Sequence, residues 1–472
     1  MGVPRIPASS GVEVLGVPIG SESFVAKTLA RKLEELEFLL SRLALLESSL
    51  AKFLLLRACL GACRVVFLLR TVPFGLGKQL AEKSAALVRH SLEALLQMPL
   101  DDVQFGLACL RTHKGGLGIQ DPRQVHGPAF LGSNFTYAAS ATSGLPRLFW
   151  EELEAGWKEV RSMWSLPGEL LSALVVPVDD AEPELEEDWS RQRWWQSLVE
   201  QKVEQHWLAV ASVRQKVIKE LGEARFCFDV SGLLGCQEGD SPLSSRAWAL
   251  GARYRLGAPM DTETTRLCPG CGCGMDPLGD HALSCHSLGT YGRHNDLRNK
   301  FAALCQDAGL RVQVEDGPEG SSRRVGDTVV HGLFEVPAAV DFVLPHALHP
   351  SCDLANVRAG KAAALAERRK RRDNGPECVR GGWRCMPFAA ETFGAWGAGA
   401  RFLVQRLVRH WSQTQDCSVR EAGLLCHGTL GAAVLKAVCR QLERGFPVAD
   451  GEAVGGGGPA GPGGGPGGSL AF

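Results

Sequence analysis

Cys268, Cys271, His281 and Cys285 fall within one short stretch of the chain, and no other feature restricts its folding as tightly. Two cysteines separated by two residues sit on a tight turn that aims both thiolates at one point. A histidine and a cysteine four positions apart lie on one face of a helical turn. Together the four can close a tetrahedral site of the kind zinc requires, so a small module organised by structural zinc is expected here. Cys273 offers a second choice for the place of Cys271, and ordinary buried cysteines are the plain alternative to a metal site. The basic residues Arg293, His294 and Arg298 follow at once and are candidates for phosphate contact.

A chain of 472 residues exceeds what one ordinary core supports, so two or three domains of about 100–200 residues each are expected. With 45% hydrophobic and 22% charged residues it reads as a soluble globular protein. A formal net charge of -1 excludes a uniformly basic coat for nucleic acid, which leaves local patches to make any such contact. The 16 cysteines are unevenly spaced and no signal peptide opens the sequence, which fits a reducing, intracellular compartment better than a disulfide scaffold. The most apolar segment, from Phe53 to Leu69, is interrupted by Arg57 and Arg64 before it reaches bilayer-spanning length. A buried helix and no membrane span is expected there.

From Ser23 to Met98 apolar residues recur at helical spacing, which predicts a helical bundle broken at Pro73. Gly115, Gly116 and Gly118 form a turn between helices without the spacing of a phosphate-binding loop. The acidic run from Val178 to Asp188 reads as a solvated linker or helix start. Trp189, Trp194 and Trp195 then open a second helical region reaching about Leu256, where their area makes them packing anchors before stacking platforms. Past the cysteines the period changes to two: 325–331 and 338–344 read as strands joined across Gly332. A helix rich in Ala and Arg comes next at 358–372, then a strand and turn at 387–394, and helices at 400–409 and 430–443. The Gly/Pro tail from Val454 is expected to be disordered.

The order of several short motifs carries a resemblance. Leu15-Gly16-Val17-Pro18, Leu69-Arg70-Thr71, Gly115-Gly116-Leu117-Gly118, Tyr254-Arg255-Leu256-Gly257, the cysteine cluster with Arg293-His294-Asn295, the acidic strand pair and Glu391-Thr392-Phe393-Gly394 succeed one another. From about Gly11 to Gly445 the chain resembles the C-terminal half of a non-LTR retrotransposon polyprotein of the type that carries a restriction-like endonuclease. The resemblance implies a multidomain fold, mainly α before the cysteines and α/β after them. Its parts are a reverse-transcriptase thumb-like helical region at 11–135, a helical linker region at 136–260, a zinc knuckle at 261–300, a restriction-endonuclease-like domain at 301–445 and a disordered tail at 446–472. It also implies a nuclear protein that meets DNA and element RNA.

A polymerase of this family needs an aromatic-x-Asp-Asp turn to hold its magnesium ions, and Asp101-Asp102 and Asp179-Asp180 both lack the aromatic pattern. The chain therefore reads as a truncated element without reverse-transcriptase activity of its own, and Asp101-Asp102 as a helix cap after Pro99. Phosphodiester cleavage is the remaining chemistry. Asp327 and Asp341, on neighbouring strands, are candidates to hold magnesium or manganese. By resemblance Lys370 is the family's lysine, moved to the following helix; Val343 stands where the wider nuclease class keeps it, and Gly326 where the family has Pro or Ala. Glu391 could add a carboxylate, and Arg368 and Arg369 beside Lys370 could grip phosphates. Two functions are open to such a chain: a metal-dependent DNA endonuclease, or a nucleic-acid-binding remnant in which no reaction occurs.

Overall fold

The computed structural model describes residues 11–140, 145–166, 192–223, 243–261, 266–314, 326–349 and 353–447. The acidic run at 178–188, Trp189 and the Gly/Pro tail lie outside them. The described residues are mostly helical, with one small mixed sheet.

A hairpin of β1 (Val12–Val14) and β2 (Val17–Ile19) opens the chain, turned by Leu15 and Gly16 at φ 52° and 84°, the left-handed pair that a two-residue hairpin favours. Helix α1 (Glu22–Ala44) starts where the Ser21 hydroxyl accepts from the Phe24 N–H, and it buries Val25, Leu29, Leu36, Leu40 and Leu43 along one stripe. With α2 (Ser49–Ala58), α3 (Val66–Thr71) and α4 (Phe74–Leu96) it makes the expected bundle, interrupted at Pro73. Helix α5 (Asp102–Cys109) is capped by Asp101, whose carboxylate accepts from the Gln104 N–H while the Gln104 side chain accepts from the Asp101 N–H. The glycine turn joins α5 to α6 (Pro122–Ser140), and a Cβ on Gly116 would lie 2.0 Å from the Leu110 carbonyl oxygen. Helices α6, α7 (Arg147–Trp164) and α8 (Gln192–Val210) enclose Trp195, which is stacked on Phe135 at 5.8 Å and fully buried, as a packing anchor should be. Helices α9 (Val213–Gly222) and α10 (Ser245–Leu256) come next, and α10 enters the same large core as α1 to α5.

After the cysteine turn come α11 (Asp280–Ser284) and α12 (Thr290–Asp307), then β3 (Arg311–Val314), β4 (Thr328–His331), β5 (Ala338–Val343), α13 (Lys361–Arg380), β6 (Arg384–Ala389), α14 (Ala398–Thr414) and α15 (Val419–Gly445). Strands β3, β4 and β5 are antiparallel neighbours, and α13 is the crossover that returns β6 parallel to β5. Alternation along β5 sorts its side chains between the two faces of the sheet. Ala338, Val340 and Phe342 enter the core built by α12, α14 and α15, whereas Ala339 packs toward Cys378 of α13. Asp341 shares the α13 side with Ala339.

Helix α15 belongs to both main cores: Leu430, Ala433, Val434 and Ala437 join the sheet, and Ala432, Leu435, Val438 and Leu442 join the helical region. Among the described residues it is the one helix long and apolar enough to cross a membrane, and 72% of its most apolar stretch is buried inside the molecule. The expected apolar helix at 53–69 is two short helices, α2 and α3, separated by a single 3-10 turn.

Candidate functional site

Two clusters of polar and titratable side chains form. The first is local. Cys268 donates its backbone N–H to the Cys273 carbonyl at 2.7 Å, and the Gly272 N–H reaches the Cys268 carbonyl at 2.9 Å, closing the turn that carries Cys271. The Asp276 carboxylate accepts from the N–H groups of Leu278, Asp280 and His281, fixing the start of α11, and the Cys285 N–H bonds the His281 carbonyl at 2.8 Å. The result puts Cys268 Sγ 3.8 Å from Cys285 Sγ and Cys271 Sγ 3.3 Å from His281 Nε2. The four ligand atoms lie within 4.8 Å of one another, a set that can hold a metal ion. Cys273 is exposed and stands outside this set, so Cys271 takes the position the sequence left open between them. The backbone N–H of Cys273, aided by the surrounding thiols, brings the Cys271 thiol down to about 6, toward the thiolate a metal requires.

The second cluster is assembled from distant segments. Asp327 immediately precedes β4 and donates its N–H to the Val340 carbonyl at 2.9 Å, so the ladder sets it across from Asp341. Asp341 is 4% exposed, so it is no solvent-facing acid. Lys370 Nζ donates to its Oδ1 at 2.8 Å and Asn374 Nδ2 to its Oδ2 at 2.6 Å, both from one face of α13. Burial pushes the Asp341 carboxyl up to about 6 with Asp327 adding to the rise, against the pull of Lys370. Burial also raises Asp327, but His294 at 2.5 Å and the Phe342 N–H at 2.7 Å more than offset it and hold that carboxyl below its ordinary value. Two carboxyl groups shifted in opposite directions thus lie side by side with a lysine.

Asp327, Asp341 and Lys370 thus converge as the sequence suggested. His294, read as a phosphate contact, instead sits against Asp327. Asn374 was not foreseen, although its place one helical turn beyond Lys370 was available as a signal. Glu391 does not join the cluster. It is fully buried and accepts from the N–H groups of Gly360 and Ala363 at 3.1 Å each, so it holds the start of α13, and burial raises its pKa. Arg293 is corrected too: only 5% exposed, it donates to the Leu283 carbonyl at 2.9 Å between α12 and α11 and cannot reach a phosphate. Burial without an acid partner lowers it to about 10. Arg298 is half-buried and donates to the Asn299 side chain at 3.1 Å, whereas Arg368 and Arg369 are exposed on α13, Arg369 lying 3.8 Å from Asp373. In comparisons with known proteins, no family model and no curated protein matches the chain.

Proposed function

We propose that this chain is a retrotransposon-derived protein that binds nucleic acid and nicks DNA by metal-dependent phosphodiester hydrolysis. The observation that carries the reading is the meeting of Asp327, Asp341 and Lys370 between the two central strands and α13, with hydrogen bonds of 2.6 to 2.8 Å on both oxygens of Asp341. Two carboxylates offer hard oxygen ligands suited to magnesium or manganese, and an ion bound there supplies charge stabilisation at the phosphoryl group and an acidified water. His294 and the Phe342 N–H keep Asp327 oriented. Asn374 keeps Asp341 in place when Lys370 turns toward the scissile phosphate, where its ammonium meets the charge that develops in the transition state. Arg368 and Arg369, on the solvent side of the same helix, position the backbone of DNA.

The cysteine cluster is read as structural zinc. Zn–S bonds of about 2.3 Å make a tetrahedron with edges of roughly 3.8 Å, and four protein ligands leave no position for substrate. The Cys268 to Cys285 separation of 3.8 Å matches such an edge. Element RNA and a nuclear location belong to the same proposal and rest on the resemblance.

A second reading is favoured by one observation. Lys370 and Asn374 already satisfy Asp341, so the cluster could persist as an ion pair in a binding remnant that no longer cleaves. Nicking of supercoiled plasmid separates the two. The wild-type chain should nick only with magnesium or manganese, Asp341→Ala should abolish nicking with DNA affinity nearly intact, and Lys370→Ala should slow it by about 10²–10³. Nicking that survives Asp341→Ala sinks the assignment, and binding without nicking under any divalent metal establishes the remnant.

A further inference from the structure

A cleft of about 900 Å³ opens in the helical region between α2, α3, the glycine turn, α6 and α8, elements that carry no residue of either cluster. Its walls hold Arg57, Arg70, Arg111, Lys114 and Arg193 against only Asp121 and Glu200. The carboxylates are already engaged: Glu200 pairs with Arg111 at 2.8 Å, and Asp121 is 3% exposed and held by Arg123 at 2.7 Å. Lys114 pairs with Glu204. Arg57, Arg70 and Arg193 have no carboxylate partner among the described residues, and Arg70 donates only to the neutral side-chain oxygen of Gln192. The loop makes room for one of them. Gly118 adopts φ +75°, and a Cβ there would come within 3.2 Å of Arg57 Nε, so the bare backbone lets that guanidinium lie along the cleft floor.

Three uncompensated guanidiniums facing one concave space make a site for an anion with several charges, because each planar fork can take two oxygens of one phosphate. No Phe, Tyr or Trp lines the cleft, so it offers no platform on which a base could stack. The volume suits a small ligand or a few linked units and is too confined for a duplex. We infer that this cleft binds a run of phosphate groups, with a single nucleic-acid strand as its ligand, gripped through Arg57, Arg70 and Arg193 and without base readout. A free polyphosphate shares the chemistry, and the test must tell the two apart.

The experiment uses the full chain carrying Arg368→Ala and Arg369→Ala, which removes the proposed contacts on α13. Anisotropy of a labelled twelve-residue oligouridylate is followed across salt concentration. Combining Arg57→Gln with Arg193→Gln should weaken binding at least tenfold and flatten the log–log salt slope by about 1.4, two contacts at roughly 0.7 each for a single strand. Exchanging Arg401 and Arg409 of α14 for Gln should change neither. Inorganic triphosphate that displaces the strand at equal or lower concentration identifies a free polyphosphate as the ligand; displacement only at far higher concentration supports the strand. Should the double variant lose its fold, hydrogen exchange of the chain with Arg57 and Arg193 intact decides: protection by the oligonucleotide confined to α2, α3, the glycine turn, α6 and α8 upholds the site. Unchanged affinity and slope, or no protection there, overturns it. Asp341→Ala leaves this binding as it is, so an inactive acid cluster does not count against the cleft.

Discussion

The cysteine cluster and the acid cluster gather ligands by opposite routes. In the first, two turns and one short helix bring four side chains together, and the bonds that close the turn and start the helix come from residues between Arg266 and Cys285. In the second, a helix before the sheet, two strands and the crossover helix must all be in place before His294, Asp327, Asp341, Lys370 and Asn374 meet. A local cluster can use the energy of ligand binding as folding energy, added here to the burial of Cys268, Met275, Leu283 and Cys285 in the large helical core. A distributed one inherits its geometry from the sheet and can leave its ligands free to change partners during a reaction. Closed and local suits structure; open and distributed suits chemistry.

That contrast is most exposed to metal removal. A chelator strong enough to strip the cysteine site should lower the thermal midpoint of the chain by about 10 °C, since structural zinc contributes of order 10–16 kcal/mol in isolated modules and unfolding a chain of this length has an entropy of roughly 1 kcal/mol per degree. Cys268→Ser should lose the one zinc per chain measured by atomic absorption. Full zinc in that variant, or an unchanged melting curve after chelation, removes the distinction between the clusters. Stripping magnesium, by contrast, should leave the melting curve almost unmoved.

Asn374→Ala should reduce metal affinity or nicking by about 10–100-fold while changing thermal stability little, as expected of a group that orients a ligand. Titration of magnesium into both proteins reads this directly, and equal affinities would reduce Asn374 to a bystander. The pH dependence arises from Asp341. Its carboxyl holds a proton up to about 6, so the ion must displace that proton below this value, and Asp327 stays ionised throughout. Magnesium affinity should fall about tenfold per pH unit below 6 and level off above 7. The fold responds with the opposite sign, because a raised carboxyl contributes stability at low pH that is lost as pH climbs from its ordinary value through 6. The smallest effect belongs to the surface: Arg368→Ala with Arg369→Ala should lessen the salt slope of duplex binding by about 1.8 and leave the rate of bound substrate unchanged.

What could be read from residues alone divides along the same line. The cysteine set was legible because its spacing is its geometry. The strand pair was legible from β-branched alternation, and Asp327 and Asp341 with it, but Lys370 entered only by resemblance, since the reach from α13 to β5 depends on how a crossover helix lies on the sheet. Arg293 was misread as a surface charge although it continues the stripe of Leu297, Phe301 and Leu304 at helical spacing, all three buried. Charge drew attention there and periodicity held the answer. Glu391 was misjudged because its partners, the first N–H groups of α13, lie a whole crossover away in sequence.

Helix α15 has a consequence for the order of events during synthesis. Neighbouring residues Val434 and Leu435 serve different cores, so one late segment completes both. The helical region and the sheet emerge from the ribosome well before this strip does, each with an apolar groove still waiting for it. Until α15 arrives, the nascent chain must carry two unfinished surfaces at once, the condition in which collapsed intermediates seek wrong partners. A ribosome that stalls before Val419 would therefore release two open halves rather than one finished and one missing domain.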